Sequence, residues 1–184
     1  FPTVSKPGER MYRSLFRISD IIAKTLALAG GAVLLGIIAL TCVSIIGRAL
    51  VPFDIGLGPI RGIYDFTEIG MAAAIFAFLP LAQLTEAHAK VDLFATIMPR
   101  ALDRGLDLVF NVGMFVVALV GTYRLYLGMM DKLSYGETTL IAQIPVWQGY
   151  AASLVGGVGF VIVAAFCIIR SLRRLAGWPD EGAL

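Results

Sequence analysis

The stretch YDFTEIGMAAAIFAFLPLAQLTEAHAKVDLFATIMPRALDR, residues 64–104, decides how this chain is read. Residues 69–85 form a run of 17 without a charge, rich in alanine. The run stops at a compact polar cluster of Thr85, Glu86, His88, Lys90 and Asp92. A short amphipathic segment and Pro99 follow. An apolar run of helical length that ends abruptly in mixed charge is the pattern of a helix leaving a bilayer.

Working outward, three more uncharged runs cover residues 25–47, 108–123 and 138–169, with 23, 16 and 32 residues. A helix needs roughly 20 apolar residues to cross a bilayer. Barrel strands would alternate apolar and polar residues, and these runs do not. The predicted fold is an all-α integral membrane protein with four transmembrane helices, at about 22–50, 65–84, 106–127 and 146–169. The whole chain, 1–184, is read as one membrane domain.

Composition agrees. Of 184 residues, 58% are hydrophobic, and the mean hydropathy is +0.84. A soluble domain of this size is excluded, and no stretch is left over to fold in water. The first span is too long for a secretory h-region and is not read as a signal peptide. Cys42 and Cys167 each fall inside a span, with no metal-ligand spacing between them, and are read as packing residues.

Four spans put both termini on one side. That side and the 85–104 loop carry 11 of the 15 lysines and arginines; Arg48, Arg61, Arg124 and Lys132 fall opposite. Basic loops stay inside, so both termini and the middle loop are expected to be cytoplasmic. This bias accounts for the basic residues without nucleic acid, with membrane lipids as their neighbours.

Along the chain, residues 11–24 are amphipathic. Leu15, Ile18 and Ile22 share one face and Arg13 and Arg17 another, which predicts a surface segment feeding the first span. Gly30, Gly31 and Gly36 permit close helix approach there, as do the pairs Gly70/Ala74 and Ala73/Ala77 in the second span. Arg48 ends the first span. It is read either as a snorkelling side chain or as an ion-pair partner of Asp65 or Glu68. Pro80 removes a helical donor and crowds the Phe76 carbonyl, with Gln83 placed to satisfy freed groups.

In the polar cluster, Glu86 and Lys90 stand at i,i+4, as do His88 and Asp92. If the segment is helical, the imidazole meets a carboxylate. One histidine and one carboxylate make a poor metal site, so His88 and Asp92 are read as a structural lock. Residues 88–98 are expected to form a short amphipathic helix along the cytoplasmic surface. Asn111 is the strongly polar residue in the core of the third span and is expected to bond across helices. Leu140, Ile141 and Ile144 are read as dipping into the interface, with Trp147 and Tyr150 marking the outer aromatic belt. Gly156, Gly157 and Gly159 lie on packing faces of the fourth span.

These residues, in this order, resemble the small membrane subunit of tripartite ATP-independent periplasmic (TRAP) transporters. The likeness rests on Arg48 closing the first span, Glu68 opening the second, FLPLAQLTEAHAKVDLF at 78–94 and GETTLIAQIPVWQGY at 136–150. Its strongest motif is Glu86, His88 and Asp92 after span two. The alanine at position 89 departs from the bulkier aliphatic residue expected there.

The resemblance implies a bacterial inner-membrane subunit without enzymatic activity, cofactor or metal. It implies two partners: a large multi-span subunit carrying the sodium and substrate sites, and a periplasmic substrate-binding protein that captures an organic acid. Transport would be driven by a sodium gradient, with this chain as static scaffold. Arg48, Glu68, His88 and Asp92 are accordingly assigned to structure and interface, with no catalytic or substrate-binding residue.

Other classes remain in view. A bis-histidine haem anchor needs two histidines and the chain has one. A small proton-coupled exporter needs an embedded carboxylate, for which Glu68 is the candidate, close to the outer interface. A four-span enzyme needs a catalytic constellation that cannot be assembled here. A stand-alone exporter, or an anchor subunit of another complex, is therefore the alternative.

Overall fold

The structure is a computed structural model that describes residues 7–53, 58, 60–86 and 100–176. Four helices make up the described chain: α1 (Pro7–Leu50), α2 (Ile63–Leu84), α3 (Arg100–Tyr135) and α4 (Trp147–Leu175). Each contains a stretch long and apolar enough to cross a membrane. A 3-10 turn, Val51–Phe53, follows α1. The expected surface helix at 88–98 lies outside the described residues, as do His88 and Asp92.

The helices are longer than the apolar runs alone suggested. α1 has 44 residues and α3 has 36, about 66 and 54 Å at 1.5 Å per residue. Charge ends the hydrocarbon-facing part of a helix, not the helix. Arg100, Arg104, Arg170 and Arg174 are good helix formers, and they prolong α3 and α4 past the bilayer boundary. Likewise the amphipathic start of α1 is continuous with its span.

α4 is the hub, and three of its glycines show why. A Cβ on Gly156 would meet the Phe76 carbonyl of α2, 2.5 Å from its carbon and 2.6 Å from its oxygen. On Gly157 it would lie 2.9 Å from the Thr122 hydroxyl of α3, and on Gly159 2.4 Å from Leu26 of α1. Only hydrogen fits at Gly156, because the obstacle is backbone. The carbonyl it faces is the one that Pro80, lacking an N–H, leaves without its helical donor. The proline's cost thus falls where another backbone comes closest. The backbones of α1 and α3 do not lie side by side among the described residues.

α1 packs on α2 through Gly30, where a Cβ would lie 3.0 Å from Ala77 Cβ, and through Ile37 against Gly70. The α2 surface used is therefore Gly70, Ala74 and Ala77, which combines the two small-residue pairs seen in the sequence. Gly31 and Gly36 face open space.

The stripe that α1 buries within the protein is not the Leu15, Ile18 and Ile22 face. Tyr12, Ser19, Ala23 and Ala27 are buried, and Leu15 and Ile18 are exposed. Tyr12 and Phe16 lie beside Phe166 of α4, with ring centroids at 5.6 and 6.0 Å. Arg173 covers the Tyr12 ring at 3.9 Å. Aromatic stacking and a cation over a ring outweigh the aliphatic Leu15–Ile18 face, because membrane lipid can cover aliphatic side chains equally well.

Candidate functional site

Polar side chains gather at the two ends of α2. At its C-terminal end, on the side of the chain termini, Gln83 donates to Asn111 Oδ1 at 2.8 Å. Asn111 donates from Nδ2 to Ser171 Oγ and to the Asp107 carbonyl, both at 2.9 Å. One buried chain of amide and hydroxyl groups thereby joins α2, α3 and α4. All three side chains are buried. In a medium without water, each amide left unpaired would cost several kcal/mol. The cross-helix bond expected of Asn111 is therefore present. Gln83 points to this network instead of capping groups freed by Pro80.

One residue beyond Gln83, α2 ends at Leu84 with Thr85 as its cap. Glu86 takes a positive φ of 53°, a backbone state uncommon outside glycine. That turn aims its carboxylate at α4. Glu86 Oε1 accepts from Arg170 Nη2 at 2.6 Å and Arg174 Nη1 at 2.8 Å. Arg170 Nη1 also donates to the Leu84 carbonyl at 3.0 Å, one of the helix-end carbonyls with no partner inside α2. Asp107 approaches Arg174 at 4.0 Å. A single carboxylate thus binds two arginines one turn apart, and the guanidinium of Arg170 caps α2.

At the other end, Asp65 in the first turn of α2 accepts two backbone N–H groups, Ala142 at 2.7 Å and Ile141 at 3.1 Å. The segment it holds is a tight turn. Thr138 pairs with Pro145, Thr139 N–H bonds the Ile144 carbonyl at 2.9 Å, and Ile144 N–H bonds Thr139 Oγ1 at 3.0 Å. Gly62, at φ 78°, allows this turn to touch α2, since a Cβ there would lie 2.7 Å from Ala142 Cβ. Leu140 sits at the tip, 96% exposed.

Of the residues singled out in the sequence, Arg48 lies exposed in the last turn of α1 and Glu68 exposed on α2. Neither takes part in an ion pair among the described residues. Asp65, the other acid weighed as a partner for Arg48, is committed to the loop backbone. What sequence reasoning missed is the pairing of Glu86 with Arg170 and Arg174. Those arginines stand 84 and 88 residues away, beyond any local spacing rule. No group of three metal-ligating side chains occurs among the described residues.

The comparison with known families adds to this geometry. The family model described as "Tripartite ATP-independent periplasmic transporters, DctQ component" matches residues 37–176. That is most of the chain, from mid-α1 to the end of α4. The chain belongs to the DctQ family. No curated protein and no solved structure gives a match. Both polar ends of α2 and all three hub glycines fall within the DctQ match. The Tyr12–Ala27 stripe of α1 lies before it. As a DctQ protein with four apolar helices, the chain is a transporter component and a multi-pass inner-membrane protein.

Proposed function

We propose that this DctQ protein is the fixed scaffold of a secondary TRAP transporter that takes up an organic acid on a sodium gradient. It packs against the large transport subunit and helps dock the periplasmic substrate-binding protein. Its termini, with Glu86, Arg170 and Arg174, face the bacterial cytoplasm, in line with the lysine and arginine bias. Asp65 and the 138–145 turn then face the periplasm.

One observation carries the scaffold reading: burial is distributed unequally among the helices. Half of the apolar window of α4 is buried, against 11% in α1 and in α3. Such a bundle has a locked centre and two wide apolar flanks. Its ion pairs among the described residues lie toward the ends of the helices, and the middle of α2 and α4 holds backbone contact without charge. A moving substrate site calls for charged groups inside the membrane. Sodium coupling and the choice of an organic acid follow from the family resemblance. Arg48, Glu68, His88 and Asp92 are assigned to structure and to contacts between subunits.

The test is co-expression with the large subunit, followed by purification of the complex and uptake in proteoliposomes with the binding protein. His88→Ala is expected to lower the yield of assembled complex more than it changes uptake per assembled complex. Normal assembly with abolished uptake would show a direct transport role. Proton-coupled export by this chain alone would remove the scaffold reading.

A further inference from the structure

Two buried polar atoms at the C-terminal end of α2 have no hydrogen-bond partner among the described residues: Gln83 Oε1 and Arg170 Nε. Gln83 is 2% exposed and Arg170 9%. The first atom is an acceptor and the second a donor.

Neither orphan arises from an amide placed the wrong way round. Asn111 Nδ2 donates to both the Asp107 carbonyl and Ser171 Oγ, so the Oδ1 that faces Gln83 can only accept. Gln83 must therefore present Nε2 to it, with Oε1 turned away. Arg170 directs Nη1 to the Leu84 carbonyl and Nη2 to Glu86 Oε1, and Nε stays outside both bonds.

Both atoms belong to one ring. Gln83 bonds Asn111, Asn111 bonds Ser171, and Ser171 follows Arg170 in α4. Arg170 bonds the carbonyl of Leu84, which follows Gln83 in α2. Cys167, one turn before Ser171, joins the ring from inside α4, with Sγ donating to the Gln83 carbonyl at 3.7 Å. Glu86 and Arg174 adjoin it and are partly open to solvent, so its outer edge is within reach of water.

We propose that this ring holds one water molecule, which accepts from Arg170 Nε and donates to Gln83 Oε1. Water is the smallest group that offers a lone pair and an O–H together. A metal cation would repel the Nε–H group, and an anion the amide oxygen. Buried waters occupy such sites, bonded to polar groups that the chain itself leaves unmet, and bridge them almost as well as a direct bond. This one also ties the Gln83–Asn111–Ser171 chain to the guanidinium that binds Glu86. The site lies within this chain and does not depend on the scaffold role.

The test is a cryo-electron microscopy map of the complex with the large subunit in nanodiscs, at a resolution that shows ordered water. An isolated peak about 2.7–3.2 Å from both atoms is expected. Solid-state NMR reads the same contact as polarisation transfer from water to the isotope-labelled Nε of Arg170. Gln83→Met removes the acceptor and keeps an unbranched side chain, and both the peak and the transfer are expected to be lost. If that variant fails to assemble, the wild-type map decides alone. A wild-type map without the peak would overturn the proposal, whether Nε and Oε1 bond each other directly or another side chain fills the position. So would unchanged transfer in Gln83→Met.

Discussion

The two ends of α2 are held by different chemistry. At the C-terminal end, side chains bond side chains across three helices: Gln83 to Asn111 to Ser171, and Glu86 to Arg170 and Arg174. At the N-terminal end, one side chain holds backbone: Asp65 accepts from Ile141 and Ala142. The first arrangement is largely buried and fixes how helices sit against one another. The second is open to solvent and fixes the shape of a loop. Charge removed from water strengthens attraction but punishes the loss of either partner, whereas charge at a surface does neither strongly. One end of α2 is therefore a structural lock and the other a local strap.

The sharpest way to break this comparison is Glu86→Ala. It leaves Arg170 and Arg174 without their shared carboxylate, and Arg170 is only 11% exposed at its side chain. Removing one partner of a buried pair costs about 3–5 kcal/mol. Thermal unfolding of the purified complex should show a large loss. A shift no greater than that of an Asp65 variant would mean the two ends are equivalent.

A middle-sized effect is expected from Asn111→Leu, which removes the amide linking Gln83 to Ser171 and leaves both without that partner. Interhelical hydrogen bonds in membranes contribute about 1 kcal/mol. A double-mutant cycle with Ser171→Ala is the measurement. Additive losses would show that the two side chains do not act together.

The smallest effect on global stability is expected from Asp65→Asn. The amide keeps an acceptor but loses the charge that favours two N–H donors. Protease cleavage within 138–145 should quicken while the unfolding temperature barely moves. A large drop in stability with no change in cleavage would make Asp65 part of the lock.

Part of this was legible in the sequence. Asn111 announced itself as an amide in an otherwise apolar span, and a polar group in lipid must find a partner. The identity of Gln83 and Ser171 as those partners was not legible, because they are 28 and 60 residues away. Glu86 was read with Lys90 by helical spacing, and Lys90 lies outside the described residues. α2 stops at Leu84, and the positive φ at Glu86 turns the carboxylate across to α4. Local amphipathicity picks out the Leu15, Ile18 and Ile22 face, not the Tyr12–Ser19 stripe that the fold buries. It contains no information about the aromatic ring of Phe166 waiting opposite.

By itself, the sequence determined the four apolar helices, their all-α class and the likeness to the small TRAP subunit. Uncharged length is enough to specify a spanning helix, since backbone in lipid must bond within its own segment. Only the tertiary structure decided that α4 is the hub, that Gly156 meets the carbonyl exposed by Pro80, and that Glu86 closes on two arginines of α4. Those choices depend on which backbone comes within contact of which, and lipid, as apolar as the helices themselves, exerts no preference among them.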